Sequence, residues 1–249
     1  MKKILMIGTG GTIASEMTGE GLTPELTPEE LMQYVPGVSS LCSVRCLPLF
    51  NIDSTNMTPG HWLRVAEAIR ENYGGCDGFV ISHGTDTMAY TAAALSYLVQ
   101  GSPKPIILTG AQKPINFDNT DSKINLRDAF TCACAEGMHG VNIVFNGKVI
   151  IGTRARKTRS KSFQAFSSIN YPYVATLQDG YLMQYITQEH FDEPVFCGEL
   201  DASVGLVKMI PGIDFELLDF MLERKDAVII ESFGVGGLPS YNSDKVFDS

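Results

Sequence analysis

The segment 3–13, KILMIGTGGTI, decides the fold, because it joins a short apolar strand directly to a glycine-rich turn. Four consecutive apolar residues at 4–7 are typical of a strand that is buried on both faces. The glycines that follow let the backbone turn sharply and bring its N–H groups close to a ligand atom, and Thr12 adds a hydroxyl there. In parallel α/β sheets ligands bind at the carboxyl ends of the strands, so this turn is the first place to look for a site.

Downstream of this turn, short apolar runs alternate with amphipathic stretches. Threonine–proline pairs at 27–28 and 58–59 predict two helix starts, the first with a capping box completed by Glu30. Further strands are predicted at 79–82 and 105–108, and further helices at 86–99 and 126–135. This order predicts the α/β class, with a mostly parallel sheet flanked by helices.

Two β-hairpins are predicted after the last of these helices. Asn146-Gly147 separates apolar runs at 141–145 and 149–153, and Asp179-Gly180 separates runs at 173–177 and 181–186. Asparagine and aspartate followed by glycine are the residues that tight hairpin turns require. We expect these antiparallel strands to extend the edge of the sheet.

The composition changes near residue 190 and predicts a domain boundary. We predict an N-terminal α/β catalytic domain at 1–190, a polar linker at 191–202, and the start of a smaller C-terminal α/β domain at 203–249. That last part supplies one strand–helix–strand unit, which does not readily cover both faces of its own sheet. We expect it to be incomplete, so either it docks on the first domain or the natural chain continues past Ser249.

Composition and charge exclude several classes of protein. A net charge of -9 argues against binding to the nucleic-acid backbone, which requires clustered Lys and Arg. The six cysteines form no CxxC pair, so we expect no zinc site and mostly buried thiols. No apolar run is long enough for a membrane span, and the N-terminus resembles no signal peptide, which predicts a cytoplasmic protein without membrane association.

A second polar turn follows the strand at 79–82 and carries Thr85 and Asp86. An acid at a helix start is explained by the helix dipole alone, but that does not explain why hydroxyls and a histidine crowd the end of a buried strand. A third turn, 109–112, is less specific. The basic run 153–161 is either a solvated face or the source of a lysine that eases deprotonation of a threonine.

The first turn has two competing interpretations. Gly8 and Gly10 begin a GxG, but Ile13 stands where a dinucleotide fingerprint needs its third glycine. The polar segment 16–24 is more typical of a lid over a site than of the helix that should follow a nucleotide turn. A plain connection without catalysis stays open from this segment alone.

Taken together, the turns resemble the two signature segments of bacterial-type L-asparaginases. TGGTIA at 9–14 and HGTDT at 83–87 are similar to the two motifs, in the same order. The turn at Asp53-Ser54, the segment 109–111 with Asp121 and Asn125 after it, and Lys157 resemble further family positions. The resemblance extends from residue 3 to the glycines at 236–237.

The resemblance implies a cytoplasmic, type I-like amidohydrolase that removes the side-chain amide of asparagine through a threonine-linked intermediate. It implies a homodimer or homotetramer, with L-asparagine or L-glutamine as substrate and no cofactor or metal. The implied catalytic residues are Thr12 as nucleophile, with Thr85, Asp86 and Lys157. The implied oxyanion hole is formed by Gly11 and Thr85, and the implied substrate-binding residues are Asp53, Ser54, Thr55, Gly84, Asp86 and Ala111.

Three departures from the family pattern leave questions open. No tyrosine occurs between Thr12 and Gln33, so the activation of Thr12 is not explained. The late turn 234–237 lacks the asparagine that the family often carries, and we expect a longer C-terminal domain. Three alternatives stay open: the amide-hydrolysing subunit of a transfer-RNA-linked amidotransferase, an inactive amino-acid-binding domain, and a Rossmann nucleotide-binding protein. The first strand begins at residue 3, which argues against the amidotransferase subunit.

Overall fold

A computed structural model describes residues 1–18 and 21–239 of the 249-residue chain. It divides into one compact unit, Met1–Glu199, and a second that begins at Leu200. The helices are α1 Pro28–Gln33, α2 Pro59–Asn72, α3 Met88–Leu98, α4 Ser122–Cys134 and α5 Glu216–Leu222. The strands are β1 Lys2–Gly10, β2 Ser15–Thr18, β3 Gly21–Pro24, β4 Cys42–Ile52, β5 Gly78–Ser82, β6 Val99–Gln100, β7 Pro105–Thr109, β8 Gly140–Phe145, β9 Lys148–Ile151, β10 Ala155–Lys157, β11 Phe166–Ser168, β12 Ala175–Gln178, β13 Tyr181–Gln184, β14 Val195–Phe196, β15 Val204–Lys208 and β16 Ala227–Glu231.

The first unit is built on an eight-stranded sheet with the order β13-β12-β9-β8-β7-β5-β1-β4. β4, β1, β5, β7 and β8 are parallel, whereas β9, β12 and β13 are antiparallel additions at one edge. Both predicted hairpins are therefore confirmed, and their turn residues Asn146 and Asp179 have positive φ angles of 49° and 54°. The predicted fold class, a mostly parallel sheet flanked by helices, is confirmed as well.

The strands β1, β5 and β7 lie inside the sheet and are almost completely buried. Every residue of β5 and β7 is buried, and β1 is buried from Ile4 onward. Strands covered by helices on both faces lose all exposure, which is why they read as continuous apolar runs rather than alternating ones. The capping box predicted for α1 is present, since Thr27 Oγ1 accepts the N–H of Glu30 at 3.3 Å and the carboxylate accepts the N–H of Thr27 at 2.8 Å.

The sequence pattern missed β4, which pairs in parallel with β1 at the edge of the sheet. Only its first residue, Cys42, is buried, and arginine, asparagine and Pro48 interrupt its apolar pattern. An edge strand tolerates proline because one side of its backbone lacks a neighbour, so the usual strand signal is weak there. This strand matters because Asp53 and Ser54 follow its end.

Other predicted boundaries shift by a few residues. α3 begins at Met88 rather than at residue 86, and α4 begins at Ser122 rather than at 126. The predicted lid at 16–24 contains two strands, β2 and β3, that pair antiparallel, with residues 19–20 outside the described part of the chain. Within the segment predicted as a linker, β14 pairs with β6, so the first unit reaches to residue 199.

The second unit contains the predicted strand–helix–strand arrangement. β15 and β16 pair in parallel, and α5 lies between them in sequence. Its small core is formed by Val207, Met209, Ile213, Phe215 and Leu218. Residues 240–249, which belong to the predicted C-terminal domain, lie outside the described residues. None of the helices among residues 1–18 and 21–239 is long and apolar enough to cross a bilayer.

Candidate active site

Three strand-end turns meet at the carboxyl edge of the parallel sheet. Gly8 of β1 pairs in register with Ser82 of β5, and Ser82 pairs with Thr109 of β7. Parallel strands in register end together, so the turns that follow them lie side by side. The segments around Thr12, Thr85 and Gln112 therefore start from one edge of the sheet.

Glycines allow these turns to approach much closer than side chains would permit. Gly11 has φ 81°, and a Cβ at its position would lie 2.3 Å from the backbone nitrogen of Gly84. A Cβ on Gly84 would lie 2.5 Å from Oγ of Ser54. Both glycines are therefore required for packing, and they bring the backbone before Thr12 against the backbone before Thr85, and the latter against Ser54.

Thr85 lies in a dense set of polar contacts. Nζ of Lys157 is 2.8 Å from Oγ1 of Thr85 and 2.6 Å from Oδ1 of Asp86. The threonine is 5% exposed, the lysine side chain 15% and the aspartate side chain 58%. The lysine thus bridges the buried hydroxyl and an aspartate that faces solvent. The helix-dipole explanation of Asp86 is not needed, since α3 begins two residues later and the carboxylate pairs with the lysine.

Thr12 has a different environment. It begins a short 3-10 turn, Thr12–Ala14, and it is half-buried. Its hydroxyl has no hydrogen-bond partner among the described residues. The turn leads into β2 rather than into a helix, so no helix N-terminus follows β1 to receive a pyrophosphate, which weighs against the dinucleotide interpretation.

The predicted oxyanion donors differ in availability. The N–H of Gly11 donates to the carbonyl of Ile52 at 3.1 Å and is therefore already occupied, and its role in an oxyanion hole stays a prediction. The N–H of Thr85 has no acceptor within the part of the chain that the structure describes. Sequence patterns could not separate the two, because β4, whose last residue takes up the N–H of Gly11, was not predicted.

The turn after β4 places Ser54 in the site. Oδ1 of Asp53 accepts hydrogen bonds from N and Oγ1 of Thr55, at 2.8 and 2.9 Å, and Thr87 Oγ1 donates to the carbonyl of Ser54 at 2.7 Å. Asp53 and Thr55, both predicted to bind substrate, hold this turn in shape. Ser54 itself is 3% exposed, with its hydroxyl against Gly84.

The third turn contributes through Gln112, a residue to which the sequence pattern assigned no role. Oε1 of Gln112 accepts a hydrogen bond from Oγ1 of Thr85 at 3.2 Å. Ala111 is fully buried in the core, and its substrate-binding role stays a prediction. The signal for Gln112 was its position directly after a buried strand, beside the two more specific turns.

A buried hydrogen-bond network stabilises the third turn. The carboxylate of Asp121 accepts the N–H of Gln112 at 3.0 Å and the side-chain amide of Asn125 at 3.1 Å. Burial raises the pKa of Asp121, while these donors lower it. Nδ2 of Asn125 also donates to the carbonyl of Gly110 at 3.0 Å. Asp121 and Asn125 therefore fix the backbone of the third turn.

The histidine of the second turn is structural. His83 is fully buried; its Nδ1 donates to the carbonyl of Gly84 at 2.7 Å and its Nε2 accepts from Oγ1 of Thr91 at 2.9 Å. Both ring nitrogens are satisfied by a neutral ring, and burial lowers the pKa of His83 to about 4. Of the polar residues that follow β5, His83 therefore stabilises the turn from inside the protein.

No cluster of three or more His, Cys, Asp or Glu within residues 1–18 and 21–239 is arranged to hold a metal ion. Of the basic run 153–161, Lys157 reaches the site, whereas Arg156, Arg159 and Lys161 are exposed. The solvated-face interpretation holds for these exposed cations, and the catalytic use of Lys157 stays a prediction.

Comparisons with known proteins agree with this geometry. The family model for the N-terminal domain of asparaginase matches residues 3–189. L-asparaginase from Thermococcus kodakarensis is 37% identical over 95% of this chain and 73% of its own length. A glutamyl-tRNA(Gln) amidotransferase subunit from Pyrococcus furiosus is 36% identical over 95% of this chain and 57% of its own length.

Solved structures show the same fold. The thermostable L-asparaginase from Thermococcus kodakarensis superposes with a TM-score of 0.89 at 35% identity, over 96% of this chain and 74% of that chain. The probable cytoplasmic L-asparaginase from Campylobacter jejuni superposes with a TM-score of 0.85 at 27% identity, over 98% of this chain and 78% of that chain.

A parallel α/β sheet whose strand-end turns carry two threonines and an aspartate, with a lysine from β10 in contact with one threonine and the aspartate, together with these relatives, defines an enzyme of the amidohydrolase class. More particularly, the chain belongs to the asparaginase family, because the family model covers well over half of it and a relative at 37% identity is spanned for 73% of its length.

Proposed function

We propose that this chain hydrolyses the side-chain amide of L-asparagine to L-aspartate and ammonia through an ester with Thr12. The observation that supports the proposal is the direct packing of Gly11 on Gly84, because these glycines directly precede the half-buried Thr12 and the Thr85 that contacts Lys157. A nucleophilic hydroxyl needs a nearby group that activates it, and we assign this role to the Lys157–Thr85–Asp86 cluster.

In the first step Oγ1 of Thr12 forms a bond to the amide carbon of the substrate. Oγ1 of Thr85 accepts a hydrogen bond from Thr12 while the Thr12 proton moves to the leaving nitrogen, and the C–N bond breaks to release ammonia. In the second step water adds to the ester, the C–O bond to Thr12 breaks, and a proton from the water passes to Oγ1 of Thr12. We assign the N–H of Thr85, which has no acceptor among the described residues, as the donor to the oxyanion in both steps.

The charges of the site match an amino-acid substrate. Asp86 shares Oδ1 with Lys157, and its exposed carboxylate leaves the second oxygen for the substrate ammonium. Ser54 is positioned to donate to the α-carboxylate from the other side of Gly84. A zwitterion needs an anion and a donor at opposite ends, and this arrangement supplies both.

The test is steady-state ammonia release from L-asparagine, D-asparagine and L-glutamine by the purified chain. We expect turnover of L-asparagine. The ratio of kcat/KM for L-asparagine to kcat/KM for L-glutamine measures how the site discriminates against one additional methylene group, which is worth about 1–3 kcal/mol in a pocket. A folded chain that binds L-aspartate but releases no ammonia would contradict the proposal and favour an amino-acid-binding domain.

A second candidate is amide hydrolysis for a transfer-RNA-linked amidation. It is favoured by the 36% identity to the amidotransferase protein from Pyrococcus furiosus over 95% of this chain. The two functions differ in dependence on a partner. Turnover of free L-asparagine by the isolated chain supports the first, and ammonia release that requires an added amidotransferase partner supports the second.

We further propose a homodimer or homotetramer in the cytoplasm. The cytoplasmic assignment is supported by the likeness to the Campylobacter jejuni protein. Light scattering coupled to size exclusion measures the assembly, and a monomeric mass for an active sample would overturn the oligomer. Cell fractionation tests the location.

A further inference from the structure

We propose that Gln112 is a positioning residue that directs the hydroxyl proton of Thr85 away from Lys157 and ties this orientation to the loop that follows the lysine. The inference rests on the proposed function, since it concerns the same site. The side-chain amide of Gln112 connects Thr85 to the loop 158–165 through its hydrogen bonds.

The orientation of the Gln112 amide is set by its partners. Nε2 lies 3.0 Å from the carbonyl oxygen of Ser160 and 3.0 Å from that of Ser162. Carbonyl oxygens only accept hydrogen bonds, so the NH2 group of the amide must face the loop. Oε1 therefore faces Thr85, and an exchange of the two ends would leave two carbonyls facing an oxygen.

This orientation determines the direction of the Thr85 hydroxyl. Oε1 only accepts, so Thr85 donates its single proton to Gln112 across 3.2 Å. The hydroxyl oxygen then accepts from Nζ of Lys157 at 2.8 Å. One lone pair of that oxygen remains, and it is available to accept a hydrogen bond from Thr12 or from the attacking water.

The backbone of Gln112 is held independently of its side chain. Its N–H donates to Oδ2 of Asp121 at 3.0 Å, and that aspartate is 7% exposed. A substitution of the side chain therefore keeps the anchored backbone and changes only the amide. This separation makes Gln112 a clean position for a test.

The loop 158–165 begins directly after Lys157. Its base is closed by Thr158, whose N–H donates to the carbonyl of Ala165 at 2.8 Å. Toward its tip, the carbonyls of Ser160 and Ser162 bind the amide of Gln112. One side chain thus links the loop that follows the lysine to the hydroxyl that the lysine contacts.

The first variant is Gln112→Met, which keeps the length of the side chain and removes both polar ends. We expect kcat for L-asparagine to fall roughly ten- to hundredfold with KM within about twofold, because misorientation of a reacting group has effects of this size. The matched control is Gln164→Met, the same change at an exposed position of the same loop, which should leave both constants unchanged.

The second variant, Gln112→Glu, separates orientation from packing. An ionised glutamate still accepts from Thr85 but presents an oxygen to the loop carbonyls, whereas a protonated carboxyl has one donor and one acceptor and imitates the amide. We expect the ratio of its kcat to the wild-type kcat to rise as pH falls from about 8 to about 5. A ratio independent of pH would mean that Gln112 acts by shape alone and would overturn the proposal.

The third measurement does not depend on turnover. Trypsin cleavage after Arg159 and Lys161 should be faster in native Gln112→Met than in the wild type, with Gln164→Met at the wild-type rate. Equal rates would overturn the tie to the loop, and wild-type kcat in a folded Gln112→Met would overturn the positioning role. If the wild type itself fails to hydrolyse L-asparagine, the proposed function fails, and the cleavage rates still decide whether Gln112 holds the loop.

Discussion

The turns of Thr12 and Thr85 begin from the same edge of the sheet, yet their surroundings differ. Thr85 is 5% exposed and its hydroxyl has two polar partners, Lys157 and Gln112. Thr12 is half-buried, and its hydroxyl has none among the described residues. One hydroxyl is already oriented by the fold, and the other is left open.

The difference shows how two similar residues can divide one reaction. A hydroxyl enclosed by partners is suited to relaying protons, because its direction is determined before substrate arrives. A hydroxyl without partners is suited to forming a bond, because no hydrogen bond must break first. No tyrosine occurs between Thr12 and Gln33, so in the proposed mechanism the activation of Thr12 depends on Thr85.

The largest expected effect comes from removing each hydroxyl in turn. We expect Thr12→Ala and Thr85→Val each to lower kcat by at least about a thousandfold, because residues that act as one unit each cost nearly the full effect. The double variant should be little worse than either single one. Ammonia release checks the rates, and Thr12→Ser, which keeps a hydroxyl, should retain measurable turnover. Wild-type activity in Thr12→Ala would make the assignment of the nucleophile wrong.

Lys157→Met should have the next largest effect, a loss of about a hundredfold to a thousandfold in kcat, since the charge beside Thr85 disappears while Thr85 stays. Lys161→Met is the matched control, because Lys161 lies in the same basic run and is exposed. If both variants lost the same activity, the contact between Lys157 and Thr85 would carry no special role.

The buried support of the second turn predicts a dependence of stability on pH. The folded pKa of His83 is about 4, below its ordinary value near 6.5. The unfolded chain therefore binds the extra proton first as the pH falls, so the contribution is complete above about 6.5, declines toward 4 and then levels off, a loss of roughly 3 kcal/mol.

Urea unfolding at several pH values measures this slope. His83→Gln should show a shallower dependence between about pH 4 and 6.5, whereas His190→Gln, at an exposed histidine, should keep the wild-type slope. The buried carboxyls of Asp121 and Asp128 have raised pKa values and act in the opposite direction, so the comparison of variants is the decisive quantity. An unchanged slope in His83→Gln would contradict the assignment of a buried neutral ring.

The smallest expected effect is on substrate binding. Asp86→Ala should raise KM about ten- to hundredfold and lower kcat less, because the carboxylate is assigned to the substrate ammonium. Asp118→Ala, at an exposed aspartate in the segment after the third turn, should leave KM unchanged. A wild-type KM in Asp86→Ala would contradict the assignment of this carboxylate to the substrate ammonium, and its ion pair with Lys157 would then be its remaining role.

The sequence by itself determined the parallel core, both hairpins and the two turns that carry Thr12 and Thr85. Strands that are buried on both faces consist of continuous apolar runs, and turns that need positive φ angles require residues such as glycine and asparagine. Both features can therefore be predicted from the local sequence. The resemblance supplied Lys157, since nothing local distinguishes it from the exposed cations around it.

Only the tertiary structure decided which polar groups are free to act. The edge strand β4 could not be predicted from the sequence because it is exposed on one side. The hydrogen bond that its last residue accepts from the N–H of Gly11 could therefore not be predicted either. The contact of Gln112 with Thr85 spans 27 positions and that of Lys157 spans 72. Such contacts depend on how strands are ordered in the sheet, and that order is a property of the packed core rather than of any local segment.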